Sequence, residues 1–239
     1  MAPENNESPS RVRVWQMFDR IAGRYDLLNR LLSLGRDIAW RKRMAKFLPE
    51  GEELRLLDVA TGTADVMLFL NEACGRIGAG VGVDMSFGML SHGVEKVRKR
   101  ELTHQFQLVR GDACGLPVRA NAFDVATISF GIRNVLDVEA GLREMHRALR
   151  PGGRVMVLEF SLPRNAFIRW GYLRYFRHVL PRVGGLVSGD MAAYRYLNQT
   201  VETFPFGEAF LDLMRSAGFR EAHALPYTFG IATLYIGDK

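Results

Sequence analysis

The chain has 239 residues, 48% of them hydrophobic, and a formal net charge of +6. This length suits one α/β domain with a real core and a small cap. Two cysteines without a CxxC pair exclude a disulfide-rich secreted framework. No apolar run reaches the length of a transmembrane helix, and the polar first ten residues lack the apolar centre of a signal peptide. We therefore expect a cytoplasmic protein with free thiols.

The first ten residues are expected to be flexible, and residues 11–50 are predicted to form a helical cap. Apolar side chains recur in this segment at helical spacing, as in Trp15, Phe18 and Ile21. The stretch from Arg11 to Lys46 is strongly basic, with Asp19, Asp26 and Asp37 as its acids. Such a stretch suits contact with anionic lipid or nucleic acid, but an ordinary solvated helix face has the same composition.

Strands and helices then alternate along the chain. The predicted strands are Leu54–Val59, Ala79–Val83, Gln105–Val109, Phe123–Phe130 and Arg154–Phe160, and the intervening helices are Asp65–Cys74, Phe87–Lys99 and Val138–Leu149. A sharp turn at residues 151–153 is expected to lead into the fifth strand. Short strands separated by helices of ten or more residues predict a parallel sheet covered on both faces.

The end of the chain departs from this alternation. Residues 162–206 form an aromatic and basic insert, and Glu208–Ala217 is predicted to be a helix. Two final strands, Glu221–Ala224 and Thr228–Ile236, are separated only by a short turn at Pro226, so they must pair antiparallel. The predicted fold is a single α/β domain over residues 11–239. It has a doubly wound, mainly parallel, Rossmann-like sheet, a C-terminal antiparallel hairpin and an N-terminal helical cap. This is the arrangement of class I S-adenosylmethionine-dependent methyltransferases.

A turn of small residues follows the first strand, where ligands bind in open α/β sheets. Gly62 and its small neighbours let the backbone approach a ligand closely. Asp58 and Asp65 place carboxylates beside this turn, which suits the ammonium of a methionine moiety and would repel a pyrophosphate. The dinucleotide fingerprint G-x-G-x-x-G is absent. These features favour S-adenosylmethionine over NAD, although a plain strand-to-helix connection has a similar composition.

Two further acids follow later strands. Asp84 ends the second strand, where a carboxylate can accept hydrogen bonds from both ribose hydroxyls. Asp112 follows the third strand, where it can accept from an adenine amino group while the Ala113 amide donates to the ring. A helix N-cap and an Asx turn are the structural alternatives for the two acids. Acids at three successive strand ends favour a nucleoside-bearing cofactor.

Four stretches of sequence carry a family resemblance. They are Phe18–Asp26, Ile128–Val135, Val157–Ser161 and Tyr194–Leu197. With them the chain resembles the UbiE/menaquinone C-methyltransferase family from about Val14 to Gly237. The resemblance implies methyl transfer from S-adenosylmethionine to a ring carbon of a polyprenylated quinol. Ala64 stands where many members have glycine, which favours 2-demethylmenaquinol as the substrate and leaves a methoxy-polyprenyl-benzoquinol open.

The resemblance also places particular residues at the site. It implies that Thr63, Asp84, Asp112, Ala113 and Ser129 contact the cofactor, and that Arg133 and Asn134 lie at the quinol. Together with the turn and its flanks, the predicted cofactor-binding residues are Asp58, Gly62, Thr63, Asp65, Asp84, Met85, Asp112, Ala113 and Ser129.

The chemistry of the acceptor gives the two quinol-site residues a role. A phenol has a pKa of about 10, so its ionisation at pH 7 costs roughly 4 kcal/mol. An arginine is a permanent cation, and our hypothesis is that Arg133 stabilises the developing phenolate while Asn134 orients the ring. Tyr25, Tyr194 and Tyr196 are candidate walls of the substrate pocket, although a capping turn and core packing explain such tyrosines equally well.

The expected partners follow from the same substrate. A polyprenyl tail is costly to expose to water, so we expect either an apolar channel for the tail or transient contact with the inner face of the cell membrane. Residues 167–177 are the candidate membrane segment, although an aromatic packing insert has the same composition. His146 and His178 have no metal-ligand spacing, and no metal is expected. No nucleic-acid acceptor is expected, because the turn after the fourth strand lacks the Asn/Asp-Pro-Pro-aromatic pattern. Another small-molecule acceptor and a non-catalytic scaffold of a quinone-synthesis assembly remain alternatives, and the oligomeric state is not predicted.

Overall fold

A computed structural model describes residues 14–33, 35–175, 177, 196 and 200–239. The predicted flexible segment at residues 1–10 lies outside these ranges. Much of the predicted insert, including Tyr194, lies outside them as well.

The described strands form one seven-stranded sheet in the order β3-β2-β1-β4-β5-β7-β6. The strands are β1 Leu54–Val59, β2 Ile77–Asp84, β3 Phe106–Arg110, β4 Phe123–Ser129, β5 Leu149–Phe160, β6 Arg220–Tyr227 and β7 Ala232–Asp238. The first five pair in parallel, and β7 runs antiparallel to both β5 and β6. The predicted doubly wound sheet with a C-terminal antiparallel hairpin is confirmed.

Helices precede, separate and follow these strands. Those with both ends in the described ranges are α1 Val14–Ile21, α2 Tyr25–Leu32, α3 Arg36–Met44, α4 Asp65–Cys74, α5 Phe87–Lys99, α6 Val138–Ala148, α7 Ala166–Arg174 and α8 Glu208–Ser216. Short 3-10 turns occupy Ala22–Arg24, Ala45–Phe47, Ile132–Asn134 and Thr228–Gly230. No helix in the part of the chain that the structure describes is long and apolar enough to cross a membrane.

The central strands are buried on both faces, as a parallel sheet requires. In β1, Leu54 and Leu56 belong to the core shared with α3, α4 and α5. Leu57 and Val59 alternate to the other face and pack with residues of α6 and α8. The cap helices join the first of these cores through Ile21, Trp40 and Met44.

Two local predictions were wrong. The fifth strand was predicted to begin at Arg154 but begins at Leu149. Residues 151–153 are extra residues within the strand, where its register with β4 shifts between the pairs Phe123–Leu149 and Val125–Arg154. Pro226 is not in a turn but pairs with Thr233. A proline is tolerated there because β6 is an edge strand. The chain reverses instead at the 3-10 turn Thr228–Gly230, which was predicted to be the start of the last strand.

Candidate functional site: a cavity at the carboxyl ends of the strands

A cavity of about 270 Å³ lies at the carboxyl ends of β1, β2, β3 and β4. Its wall includes six of the predicted cofactor-binding residues, namely Gly62, Asp84, Met85, Asp112, Ala113 and Ser129. The remaining wall is largely apolar and aromatic, with Val14, Trp15, Phe18, Tyr25, Phe130, Val135 and Leu136 among its members. The wall therefore has two kinds of surface, which we call its polar half, made of the strand-end groups, and its apolar half, made of the apolar and aromatic side chains.

The polar half begins where β1 meets β2. The backbone amide of Gly62 donates to Asp84 Oδ2 at 2.8 Å, and the Ser86 amide donates to Asp84 Oδ1 at 2.8 Å. Gly62 has a φ of 57°, which glycine adopts without strain. Burial raises the pKa of Asp84, against the hydrogen bonds from Ser86 and Gly62 that lower it. The strand-end carboxylate is thus held in place by backbone amides at the cavity wall.

Asp112 lies at the same wall in a tight turn after β3. Its Oδ1 accepts from the Cys114 amide at 2.9 Å, which is the Asx turn considered as the structural alternative. Asp112 and Ala113 nevertheless both line the cavity. The Asx turn and a position in the cavity wall are therefore compatible.

Two buried polar atoms at the cavity have no hydrogen-bond partner among the described residues. They are Ser129 Oγ, at the end of β4, and Asn134 Oδ1, in the 3-10 turn that follows. A buried polar atom without a partner is costly, so such atoms in a cavity wall suit a bound molecule that completes their hydrogen bonds.

The first helices close the cavity from above. Val14, Trp15 and Phe18 of α1 line it, and Tyr25 of α2 packs edge-on against Phe18 with ring centroids 5.9 Å apart. The sequence prediction assigned Trp15 and Phe18 only to a helix face and missed them as site residues. Helical spacing alone cannot separate a side chain that faces the core from one that faces a cavity beside it.

Polar contacts hold these first helices against the polar half of the cavity. Asp19 Oδ1 accepts from Ser86 Oγ at 2.5 Å and from the Gly88 amide at 2.8 Å, at the start of α5. Arg110 donates to the Met85 carbonyl at 3.0 Å, and its guanidinium lies 5.4 Å from the Trp15 ring centroid. The cap is therefore fastened to the residues that flank Asp84.

Asp58 does not reach the cavity, contrary to its predicted contact with a methionine ammonium. Its side chain is fully buried, and its oxygens accept from Thr61 Oγ1 at 2.7 Å and Thr127 Oγ1 at 2.6 Å. Burial raises its pKa to about 6, although both hydroxyls lower it. Asp58 supports the floor beneath the turn and adds negative charge there above pH 6.

The buried Asp58 predicts a specific pH dependence of stability. Folded Asp58 keeps its proton up to about pH 6, and in an unfolded chain it loses the proton near 3.8. The folded state therefore binds more protons between these values, and its stability rises as the pH falls from 7 to 5. Relative to Asp58→Asn, the wild type should gain about 1 kcal/mol in the free energy of unfolding over this interval. Urea denaturation of both proteins at the two pH values measures this, and an unchanged difference would contradict the assignment.

Thr63 and Asp65 are likewise drawn away from the cavity, toward the cap. Thr63 Oγ1 donates to Asp26 Oδ1 at 2.7 Å and accepts from Lys96 Nζ at 2.8 Å. Asp65 accepts from Lys96 at 2.7 Å and from Arg30 at 2.8 Å. Burial alone would raise the pKa of Asp65, but Lys96 and its other cationic neighbours lower it. These two predicted cofactor residues instead bind the cap to the first turn of α4.

Arg133 also lies outside the cavity wall, as one half of a buried ion pair. Its Nη1 donates to Glu159 Oε1 at 2.6 Å and to the Phe130 carbonyl at 2.8 Å. Both side chains are nearly inaccessible, and the guanidinium lies 5.6 Å from the Phe160 ring centroid. Burial raises the pKa of Glu159, and Arg133 lowers it. The predicted role of Arg133, stabilisation of a developing phenolate, would therefore have to be exerted from behind the cavity wall by a cation whose charge Glu159 balances.

The predicted substrate-pocket tyrosines differ in their placement. Tyr25 lines the cavity, and burial raises its pKa. Tyr196 is buried and packs with Val14 and Met17 of α1, so it supports the cover from behind. Of the predicted pocket residues that the structure describes, only Tyr25 belongs to the cavity wall.

Comparison with known proteins identifies the family. The sequence profile of the ubiE/COQ5 methyltransferase family matches residues 6–239. The chain belongs to the ubiE/COQ5 methyltransferase family. Its relatives in this family include "Ubiquinone/menaquinone biosynthesis C-methyltransferase UbiE" of Syntrophotalea carbinolica, with 48% identity over 93% of this chain and 92% of that protein. "Demethylmenaquinone methyltransferase" of Thermus thermophilus is 46% identical over 93% of this chain and all of that protein.

Solved structures confirm the fold of this ubiE/COQ5 family member. A methyltransferase from Thermotoga maritima described as S-adenosylmethionine-dependent and as a possible histamine N-methyltransferase superposes with a TM-score of 0.65 at 23% identity. The superposition covers 94% of this chain and 99% of the Thermotoga maritima chain. The family and the fold together imply that the chain is a methyltransferase that uses S-adenosylmethionine. The cavity fits this donor, because it combines strand-end carboxylates with a buried hydroxyl that has no partner in the described structure.

Proposed function

We propose that this methyltransferase transfers a methyl group to a ring carbon of a polyprenylated quinol, with 2-demethylmenaquinol as the substrate. The observation that carries the proposal is that one cavity is lined both by polar groups at the strand ends and by apolar and aromatic side chains of the cap and of the loop after β4. Several relatives named for demethylmenaquinone support the naphthoquinol, and others named for both ubiquinone and menaquinone keep the benzoquinol as a second acceptor.

The polar half supplies the groups that would hold the donor. Asp84 would accept from the ribose hydroxyls, Asp112 would accept from the adenine amino group, and the Ala113 amide would donate to the ring. Ser129 Oγ would complete its hydrogen bonding on the same molecule. When bound, S-adenosylmethionine supplies an electrophilic methyl group on a positively charged sulfur.

The apolar half suits the quinol ring. Phe18, Tyr25 and Phe130 provide aromatic surfaces against which a flat ring can pack. Asn134 Oδ1, buried and without a partner in the described structure, can accept a hydrogen bond from a quinol hydroxyl. That contact would orient the ring so that the carbon beside the hydroxyl faces the polar half.

Arg133 acts through the loop that carries these groups. It donates to the Phe130 carbonyl, and Glu159 holds its guanidinium in place. Phe130, Gly131 and Asn134 all line the cavity, so the buried pair positions this part of its wall. A Cβ at Gly131 would come within 2.6 Å of the Ala60 Cβ, which shows how closely this loop packs on the turn after β1.

Two variants separate the halves of the site. We expect Asn134→Ala to lower kcat/KM for reduced demethylmenaquinol about tenfold with little change in the Kd for S-adenosylmethionine, because one buried hydrogen bond to the acceptor is lost. Ser129→Ala should instead weaken binding of S-adenosylmethionine. Calorimetry gives the Kd, and transfer of labelled methyl gives the rate. Equal effects of both variants on donor and acceptor would contradict the division of the cavity.

The alternatives make different predictions in the same assay. A non-catalytic scaffold would bind S-adenosylmethionine and transfer no methyl group to any quinol. A methyltransferase for another small molecule would show turnover only with that acceptor. Reduced demethylmenaquinol and the methoxy-polyprenyl-benzoquinol, tested side by side, decide between the two quinol classes.

A further inference from the structure

Helix α7 presents an aromatic stripe to solvent. Phe167 and Trp170 are 79% and 56% exposed, and their rings stack with centroids 6.2 Å apart. The Arg174 guanidinium lies 4.9 Å from the Trp170 ring centroid. Positions 167, 170 and 174 fall on one helix face, so the stripe is continuous.

The opposite side of the same segment holds it to the protein. Tyr172 and Tyr175 pack against the core that α3, α4 and α5 share with the sheet. Burial raises the pKa of both phenols. The tyrosines thus anchor the segment, and the stripe of Phe167 and Trp170 faces outward.

A third exposed ring stands beside the start of α7. Phe229, in the turn between β6 and β7, is 76% exposed and has a φ of 59°. A bulky side chain at positive φ is strained, and a ring this exposed gains little packing in return. A Cβ at Gly230 would lie 3.5 Å from the Pro163 Cα, so this turn adjoins the chain that leads into α7.

The charge around these rings has one sign. Residues 162–177 contain four arginines and no acidic residue. Arg164, Arg169 and Arg174 are exposed, and Arg177 pairs with Glu202 at 2.5 Å. Exposed aromatic rings mixed with arginines are typical of protein segments that lie at the interface of a lipid bilayer.

These exposed rings also lie at the same end of the sheet as the cavity. Helix α7 follows the carboxyl end of β5, and Phe160 at that end pairs with Ala232, just after the Phe229 turn. The cavity opens at the carboxyl ends of the neighbouring parallel strands. A flat partner seated on the rings would therefore lie along the edge of the protein that holds the site.

We propose that Phe167, Trp170 and Phe229, with Arg169 and Arg174, form a docking surface for an anionic phospholipid bilayer. The rings would enter the interfacial region, and each arginine would contribute about 1 kcal/mol of attraction to the negative lipids. The need for such docking rests on the proposed function, since a polyprenylated quinol resides in the bilayer. The docking itself can be measured without any substrate.

Co-sedimentation with vesicles tests the surface directly. Vesicles of phosphatidylcholine alone are compared with vesicles that also contain phosphatidylglycerol. The triple variant Phe167→Ser, Trp170→Ser, Phe229→Ser should lose binding to both by more than about tenfold. The double variant Arg169→Gln, Arg174→Gln should weaken binding to the anionic vesicles by about 10- to 30-fold and leave the neutral ones little changed.

Val94→Ser is the matched control. Val94 is a half-exposed apolar residue of α5, which packs on β3 at the opposite edge of the sheet. The Val94→Ser variant should bind both kinds of vesicle as the wild type does. Unchanged binding of the triple variant would overturn the proposal. So would a wild type that ignores vesicles but forms a complex with itself or another protein through these residues.

A soluble demethylmenaquinol without its prenyl tail separates this proposal from the proposed function. All variants should methylate it at the wild-type rate, and the triple variant should fail only on quinol embedded in vesicles. A wild type that binds vesicles and methylates no quinol would support docking and contradict the proposed function. A wild type that methylates the soluble quinol without binding vesicles would support the proposed function and contradict the docking surface.

Discussion

Replacing Arg133 by alanine is expected to destabilise the protein by about 3–5 kcal/mol and to lower methyl transfer at least about tenfold. The variant leaves Glu159 as an uncompensated charge in a site that is almost inaccessible to water. It also removes the hydrogen bond to the Phe130 carbonyl, which holds the loop carrying Asn134. Denaturation by urea and single-turnover transfer of labelled methyl measure the two effects.

A double variant separates stability from activity. Arg133→Met combined with Glu159→Met removes both charges, leaves neither position with a hydrogen-bond donor and retains similar side-chain volumes. Since a buried ion pair can be replaced by uncharged groups at little cost, most of the lost stability should return. Activity should stay low, because no side chain then donates to the Phe130 carbonyl. Full turnover by the stable double variant would contradict the positioning role of Arg133.

Replacing Asp84 by asparagine is expected to raise the Kd for S-adenosylmethionine by about 10- to 100-fold. The carboxylate is held at the cavity wall by the Gly62 and Ser86 amides, so its remaining acceptor capacity faces the ligand. An amide in its place has one oxygen and introduces a donor toward backbone N–H groups. Glu95→Gln, which removes a carboxylate from the exposed side of α5, is the control of equal charge and should leave the Kd unchanged.

The same residue gives the binding of the donor a pH dependence. Burial raises the pKa of Asp84, so the acceptor is lost at a higher pH than for an ordinary aspartate. The affinity of the wild type should therefore fall as the solution is acidified, and the fall should be shallower in Asp84→Asn. Calorimetric titrations over a pH series measure this slope. Parallel slopes would show that another group controls the affinity.

Local patterns were sufficient to predict the sheet and to bring Asp84 and Asp112 to one cavity at its edge. Leu54–Val59, Asp65–Cys74 and Phe87–Lys99 have the bounds that were predicted, because strand period, helix period and turn residues all agree there. Asp84 and Asp112 were placed at this edge because parallel strands bring their carboxyl ends together, whereas Ser129 was placed there by the family resemblance alone.

The remaining errors arise from contacts between distant segments. Arg133 and Glu159 are 26 residues apart, and nothing in either local sequence indicates that they form a buried pair. Asp58 was predicted to contact the ligand, but Thr127 of the neighbouring strand donates a hydrogen bond to one of its carboxylate oxygens. Trp15 and Phe18 line the cavity because the cap folds over it, and that packing depends on Asp19 reaching α5.

The most direct test of the proposed function is a single-turnover reaction with methyl-labelled S-adenosylmethionine and reduced demethylmenaquinol in liposomes, followed by mass spectrometry of the extracted quinone. We predict that the label appears on a ring carbon, as menaquinol. Bound S-adenosylmethionine with no label in the quinone, or label on a quinol oxygen, would contradict C-methylation of a quinol by this chain.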